Sequence, residues 1–286
     1  RERLVDFGRT RAESLGWTVV YTLTKAVAER VAEQKWGAEH RLTVLRPSII
    51  ESALRHPFPG WIDGFKVADP LIIAYGRGQL PDFPGLPDSV LDVIPVDFVV
   101  NATIAAAANP PERTTPQYFQ VVSGASNPLP FHAMYGNVRE YFLQNPLPSE
   151  DGDVAVPTWK FPGEARVERE LLDAEQRLAK ADQRVNTMRG SKRSRRIVDQ
   201  IQKAGADLEV LRGFTELYRA YVQSELIFDD TNTRALDLAL PAEIRADLGF
   251  DVTDIDWTDY FQRVHFPAIT TMTRAFASRP SAKAPT

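Results

Sequence analysis

The sequence predicts an α/β protein in its first half and a mainly helical protein in its second half. A helical run at about 17–36 is followed by an apolar, β-prone segment at 42–46, which is the helix-then-strand order of a parallel sheet. A second helical run at 96–108 is again followed by an apolar strand, at 118–122. Between 167 and 211, apolar residues recur at heptad spacing, which indicates long packed helices.

These patterns divide the chain near residue 126. Residues 1–126 are expected to belong to a doubly wound parallel sheet, in which ligands bind beyond the carboxyl ends of the strands. Residues 127–286 are expected to form a helical domain with a long antiparallel helical hairpin at about 164–224.

The first helix should end at Gly37, and its apolar positions fit one buried stripe. They are Val20, Leu23, Val27 and Val31. Pro47 should end the strand that follows, because proline cannot donate to a sheet. The other expected elements are helices at 65–75, 96–108 and 131–143, short strands at 92–96 and 118–122, and a Pro- and Gly-rich loop at 51–64.

The hairpin prediction depends on two heptad-spaced runs, from Val167 to Met188 and from Ile197 to Leu211. Between them lies the basic segment 189–196, which should form the tip. A basic tip is either a solvated turn or a contact for anionic lipid head groups or for the acidic face of a partner. Serine substitutions in the tip that left vesicle binding unchanged would exclude the lipid contact.

Composition limits the function classes. The 286 residues are 43% hydrophobic and 25% charged, as in ordinary globular proteins, and the net charge of −4 gives no field that favours nucleic acid. The absence of cysteine excludes disulfides and thiolate chemistry. No apolar stretch approaches a bilayer-spanning length and no signal-peptide pattern is present.

Tyr21 and Lys25 are the strongest candidates for chemistry. They are four residues apart in a helical run and should therefore share one helix face. An ammonium group beside a phenol stabilises the phenolate and makes the phenol a better acid. Such a tyrosine can protonate a carbonyl oxygen while hydride attacks the carbon. The alternative is a surface tyrosine that stacks on a lysine stem.

The acidic residues near the C-terminus invite a metal interpretation. They are Asp229, Asp230, Asp251, Asp254, Asp256 and Asp259. A calcium loop would need a glycine and a terminal glutamate that are missing here, so we expect Asp230 and Asp256 to be helix N-caps. The four histidines show no zinc spacing, and no metal site is predicted.

Six segments together resemble the fatty acyl-CoA reductases, the male-sterility-type branch of the extended short-chain dehydrogenases. They are YTLTKAVAE with LTVLRPSII, HPFPGWIDG, DVIPVDFVVNATIAAA, and the C-terminal pair LIFDDTN and LGFDVTDIDWTDYF. YxxxK with RPS is typical of the whole dehydrogenase superfamily, whereas GWIDG and the C-terminal pair are much more specific.

The resemblance implies a Rossmann-like sheet and NADPH-dependent reduction of a long-chain acyl-CoA to a fatty alcohol through the aldehyde. It implies that Tyr21 donates the proton, that Lys25 activates it and binds the nicotinamide ribose, and that both contact the cofactor. It also implies that Pro47, Ser48 and Ile49 lie behind the nicotinamide. Gly60, Trp61 and Asp63 would shape the acyl side of the pocket.

The family's Gly-rich phosphate turn is not found, so we expect the chain to be the C-terminal portion of a longer reductase. Two alternatives stay open: a thioester reductase domain that acts on a carrier-bound acyl chain, and a truncated, non-catalytic interaction module. The expected location is cytoplasmic, with peripheral membrane contact through the basic tip and homo-oligomerisation as open arrangements.

Overall fold

The computed structural model describes residues 2–17, 19–65, 68–78, 86–149, 152–153, 156, 158, 164–186, 198, 201–202, 205 and 226–277. The chain forms two compact units. The first unit consists of Arg1–Gly64, Asp92–Leu129 and Leu226–Thr286. The second unit consists of Phe65–Leu91 and Pro130–Glu225. The C-terminal segment after residue 226 therefore belongs to the same unit as the helices and strands around Tyr21.

Helices α1 to α10 are, in chain order, Glu2–Ser14, Val20–Ala32, Asp69–Gly76, Val96–Ala108, Phe131–Gln144, Glu164–Asn186, Thr231–Leu238, Ala242–Leu248, Trp257–Asp259 and Phe266–Ala277. Strands β1 to β8 are Thr43–Pro47, Ile49–Glu51, Val90–Leu91, Val93–Pro95, Gln117–Val121, Leu129–Pro130, Pro148–Ser149 and Gly152–Asp153. Turns of π-helix at Glu33–Gly37 and Tyr260–His265 extend α2 and join α9 to α10.

Two parallel strand pairs form the centre of the first unit. β1 pairs with β5, from Thr43 opposite Gln117 to Pro47 opposite Val121, and β2 pairs with β4. Both predicted strands of the first pair are confirmed, and β1 ends at Pro47 as expected. Strand β2 was not predicted, because Pro47 indicates the end of a strand, whereas the chain here changes its pairing partner from β5 to β4. The Ser48 amide still donates to the Val121 carbonyl, whereas the next amide donates to the carbonyl of Asp92.

The helices follow the sequence pattern closely in the first unit. Helix α4 has the predicted bounds, with Pro95 at the N-cap position. Helix α2 begins at Val20 and passes into the π turn that ends at Gly37. The predicted buried stripe of α2 is wrong, since Val20, Val27 and Val31 are 39–52% exposed. Within the described part of the chain, no element covers that face of α2 enough to bury a residue.

An aromatic core holds the C-terminal segment, as its sequence predicts. Phe261 stacks on Trp257 and on Phe266, with ring centroids 5.9 and 5.2 Å apart. Tyr260, Phe261 and Phe266 are almost completely buried. Burial of large aromatic side chains is a major source of folding free energy, so this core stabilises the segment within the first unit.

The second unit contains α3 packed on α5. Helix α3 begins at Asp69 rather than at the expected Phe65, with a proline in its first turn. A Cβ atom on Gly76 would lie 2.5 Å from the Phe142 ring, so only glycine permits this close approach. Burial raises the pKa of Tyr75, whose ring meets Tyr135 edge-on.

Helix α6 corresponds to the first arm of the predicted hairpin. Three seam residues, Ala174, Leu178 and Ala181, are half-buried, whereas Leu172 beside them is exposed. Most of the second arm and the basic segment 189–196 lie outside the described residues, so the hairpin and its membrane contact stay predictions. Among the helices of the described ranges, none combines the length and apolarity needed to cross a bilayer.

Candidate active site

Tyr21 and Lys25 lie on one face of α2 and touch each other. The Lys25 Nζ atom is 5.6 Å from the centroid of the Tyr21 ring, within the range of a cation–π contact. The backbone enters α2 in extended conformation at Val19, so both side chains lie in the first two turns. Tyr21 is 64% exposed, and Lys25 is also exposed. The pair is assembled as the spacing predicts, but it faces solvent in this structure.

Arg46 fastens α2 to the end of β1. Its Nε atom donates to both carboxylate oxygens of Glu29 at 3.1 Å, and its Nη2 atom donates to Oε2 of Glu29 at 2.6 Å. Glu29 lies one turn beyond Lys25, on the same helix face. Its carboxylate raises the pKa of Arg46. The ion pair therefore joins the face that carries Tyr21 to the strand that leads into the predicted cofactor residues.

A second contact joins the π turn after α2 to β5. The Tyr118 hydroxyl donates a short hydrogen bond to Glu33, and the Arg46 guanidinium lies 4.8 Å from the centre of the Tyr118 ring. This hydrogen bond raises the pKa of Tyr118 and lowers the pKa of Glu33. The sequence gives no sign of either contact, because the partners are far apart along the chain.

Pro47, Ser48 and Ile49 lie where the chain leaves the first strand pair and enters the second. The Ser48 Oγ atom is buried and has no hydrogen-bond partner among the residues that the structure describes. Pro47 is exposed. Pro47 therefore offers an exposed apolar ring at the carboxyl end of β1, whereas the Ser48 hydroxyl has unused hydrogen-bonding capacity but no accessible surface.

Gly60, Trp61 and Asp63 lie on the loop after β2. The loop closes on itself, since the Ala53 amide donates to the Trp61 carbonyl at 2.9 Å and the Gly60 amide donates to the Ala53 carbonyl at 2.8 Å. Gly60 has a φ of +83°, and a Cβ atom there would lie 3.0 Å from Ala268 Cβ and from the Val264 carbonyl oxygen. Glycine is required for both reasons.

The structure brings together a buried polar cluster that sequence reasoning missed. The Ser52 hydroxyl lies 3.0 Å from Nδ1 of His265, and Nε2 of His265 lies 3.6 Å from the Glu51 carboxylate. The Tyr260 hydroxyl donates to the Ser52 carbonyl at 2.7 Å. The order serine, histidine, carboxylate resembles a hydrolase triad, but these side chains are at most 3% exposed. The cluster therefore joins β2 to the C-terminal segment and is closed to substrate.

The C-terminal aspartates bind backbone amides. Asp256 accepts from the Asp259 amide at 2.9 Å, which confirms the predicted cap. Asp230 occupies the predicted N-cap position, but its side chain makes no capping hydrogen bond to the helix. Asp229 accepts from the Thr231 amide instead, at 2.9 Å, and the Thr231 hydroxyl and amide lower the pKa of Asp229. Burial raises the pKa of Asp237, which accepts from the Phe250 amide.

Comparison with known proteins adds a family assignment to this geometry. The NAD-binding family model described as male sterility protein matches residues 2–103. The chain is 33% identical to fatty acyl-CoA reductase 2, chloroplastic, of Arabidopsis thaliana over an alignment of 280 residues that covers 94% of this chain and 44% of that protein. It is 32% identical to the alcohol-forming fatty acyl-CoA reductase of Simmondsia chinensis, over 94% of this chain and 55% of that protein.

A vertebrate protein is similar as well. Fatty acyl-CoA reductase 1 of Xenopus laevis is 30% identical over 250 residues, which are 85% of this chain and 45% of that protein. The chain thus spans about half the length of the curated relatives it matches. The similarity extends over residues that the sequence motifs alone do not cover.

Proposed function

We propose that this chain, a fatty acyl-CoA reductase-type protein, serves within the intact protein in the NADPH-dependent reduction of a long-chain fatty acyl-CoA to a fatty alcohol, through the aldehyde. The names of its relatives support the acyl-CoA substrate, and the NAD-binding family match supports a nicotinamide cofactor. The same match favours a Rossmann-like extended dehydrogenase fold, with which the parallel strand pairs agree. The choice of NADPH over NADH belongs to the proposal.

Tyr21 is the proposed proton donor. When bound, NADPH would supply hydride to the thioester carbonyl carbon. The Tyr21 hydroxyl would give its proton to the oxygen on which negative charge develops, which forms the hemithioacetal. When the C–S bond then breaks, the hemithioacetal hydroxyl returns its proton to the Tyr21 phenolate, CoA leaves as the thiolate and the aldehyde forms. A second NADPH would supply the hydride that reduces the aldehyde to the alcohol, with Tyr21 again as proton donor. Lys25 stabilises the resulting phenolate because its ammonium group lies against the Tyr21 ring. Lys25 would also donate to the nicotinamide ribose.

The remaining proposed roles are those of positioning. Pro47, Ser48 and Ile49 would lie behind the nicotinamide, where the Ser48 hydroxyl still has hydrogen-bonding capacity. Gly60, Trp61 and Asp63 would shape the acyl side of the pocket. The Arg46–Glu29 ion pair keeps the Tyr21 face of α2 beside the end of β1.

One observation carries the proposal: Lys25 lies against Tyr21 on the helix whose next turn is bound to the end of β1. The direct test supplies the intact protein with NADPH and palmitoyl-CoA and follows NADPH oxidation and the lipid product. We expect hexadecanol, with little oxidation when NADH replaces NADPH. Reduction of acyl-carrier protein alone would favour the thioester reductase, and no oxidation with either acyl donor would contradict the proposal.

A non-catalytic binding module is the second candidate function. It is favoured by the 64% exposure of Tyr21, since proton donors to a hydride-transfer reaction work in sites that exclude water. The two candidates differ in NADPH oxidation, which only the reductase catalyses. For either candidate function, we also propose a cytoplasmic location, with peripheral membrane contact and self-association.

A further inference from the structure

The carboxylate of Asp97 accepts hydrogen bonds from backbone amides of the loop that carries Gly60, Trp61 and Asp63. One of its oxygens accepts from the Leu54 amide at 2.9 Å. The other accepts from the amides of Arg55 and His56, at 2.8 and 3.1 Å. Asp97 is only 4% exposed. Three consecutive backbone donors on one buried carboxylate fix the path of the chain where it leaves β2.

The position of Asp97 in α4 adds to this hold. It lies in the first turn of the helix, where the helix dipole stabilises a negative charge. The negative charge of Asp97 is therefore stabilised both by the N-terminus of α4 and by the three backbone amides of the loop. Charge-assisted hydrogen bonds of this kind are roughly twice as strong as neutral ones.

The Arg55 side chain extends the same arrangement to the C-terminal segment. Its Nη2 atom donates to the Gly249 carbonyl at 2.7 Å, and its guanidinium lies 5.4 Å from the Phe98 ring centroid. Phe98 follows Asp97 directly, so two neighbouring residues of α4 hold the backbone and the side chain of Arg55.

The closed part of the loop transmits this position to Trp61. Ala53 is joined to Gly60 and Trp61 by two backbone hydrogen bonds, which close the loop between residues 53 and 61. The amides of residues 54–56 that Asp97 binds lie in this closed stretch, so Asp97 and the backbone of residue 61 are connected within one loop.

We propose that Asp97 is a positioning residue that sets the acyl-binding loop of this protein. The proposal rests on the proposed function, because it takes the loop as the acyl side of the site. Asp97 touches neither substrate nor cofactor and acts through the amides of residues 54–56. Its loss should weaken recognition of the acyl chain more than the chemical step.

The test substitutes Asp97→Asn, which keeps the size of the side chain but replaces one acceptor oxygen with an NH2 group that opposes backbone donors. Hydrogen exchange of the 54–56 amides should rise about tenfold or more, as expected when a buried hydrogen bond is lost. The Kd of palmitoyl-CoA should rise about tenfold, whereas that of CoA without the acyl chain should change less than about twofold. In turnover, KM for palmitoyl-CoA should rise with kcat nearly constant.

Asp92→Asn is the matched control. Asp92 is also a carboxylate that accepts from a backbone amide, that of Ser123 at 2.8 Å, but its partner is outside the loop. This control should leave the exchange of the 54–56 amides and the affinity for palmitoyl-CoA unchanged. Faster exchange at 54–56 in Asp97→Asn with unchanged palmitoyl-CoA affinity would overturn the proposal and leave the proposed function intact.

A measurement on the wild-type protein keeps the proposal testable if Asp97→Asn does not fold. Palmitoyl-CoA should protect the amides of 54–61 from exchange, and CoA alone should not. Protection elsewhere without protection at 54–61 would overturn the positioning role only. A wild-type protein that does not bind palmitoyl-CoA would overturn the proposed function, and the positioning role with it.

Discussion

Arg46 shows how a single side chain fixes the geometry around Tyr21. The Arg46–Glu29 pair has three close contacts and is only partly exposed. An Arg46→Lys substitution keeps the charge but loses the planar double contact. We expect the free energy of unfolding, measured in urea, to fall by up to about 1 kcal/mol. Arg30→Lys is the control, because Arg30 makes one contact with Glu33 at 3.0 Å. An equal or larger loss in the control would contradict this role.

The hydrogen bond from Tyr118 to Glu33 predicts a pH dependence with two limbs. Because the pKa of Glu33 is lowered in the folded protein, its carboxylate stabilises the folded protein at pH values above the unfolded-state pKa of Glu33. This contribution is lost as the pH falls through the lowered pKa. The raised pKa of Tyr118 means that its stabilisation is present below pH 10 or so and is lost as pH rises through the raised value.

Tyr118→Phe should therefore lower the Tm most between about pH 5 and 9, and the difference from the wild-type protein should shrink toward both extremes. Thermal unfolding followed by circular dichroism across this range measures it. Tyr135→Phe in the second unit should lack the acid limb, because the hydrogen-bond partner of Tyr135 is Tyr75 and not a carboxylate. A difference that stays constant with pH would show that the hydrogen bond is not the source of the shifts.

At the scale of elements, the sequence predicts the features that depend on interactions between residues close together along the chain. The bounds of α4 could be predicted because Pro95 starts it and an alanine-rich stretch continues it. The shared face of Tyr21 and Lys25 follows from helix geometry alone. Strand β2 could not be predicted, because it is only three residues long and closely follows Pro47, a residue that normally ends a strand. The buried stripe expected for α2 failed for a different reason: helical periodicity marks an apolar face but not what covers it.

Asn127 connects elements that are distant in sequence and provides an element-scale prediction. Its side-chain amide donates to the carbonyls of Val252 and Ile255, both at 2.8 Å. Asn127→Ala should lower the free energy of unfolding by about 2 kcal/mol, because part-buried carbonyls lose their donor. Urea denaturation measures the change. Asn145→Ala removes a single bond at the end of α5, to the Tyr141 carbonyl, and should have a smaller effect. Equal losses would exclude a connecting role for Asn127.

At the scale of the whole molecule, the C-terminal segment is an integral part of the first unit. It holds the loop after β2 through Tyr260, His265 and the Gly249 carbonyl. The sequence indicated an aromatic core there but not its partner, since Ser52 and His265 are 213 residues apart. Segments of the chain far from Tyr21 in sequence thus shape the proposed acyl side of the site.

The central claim is that Tyr21 donates the proton during reduction of the carbonyl. Its most direct test is the single-turnover rate of palmitoyl-CoA reduction by Tyr21→Phe with NADPH bound, beside Tyr135→Phe as a control. We expect a fall of about 100- to 10,000-fold for Tyr21→Phe, with NADPH affinity unchanged. A rate within a few-fold of the wild-type protein would contradict the account.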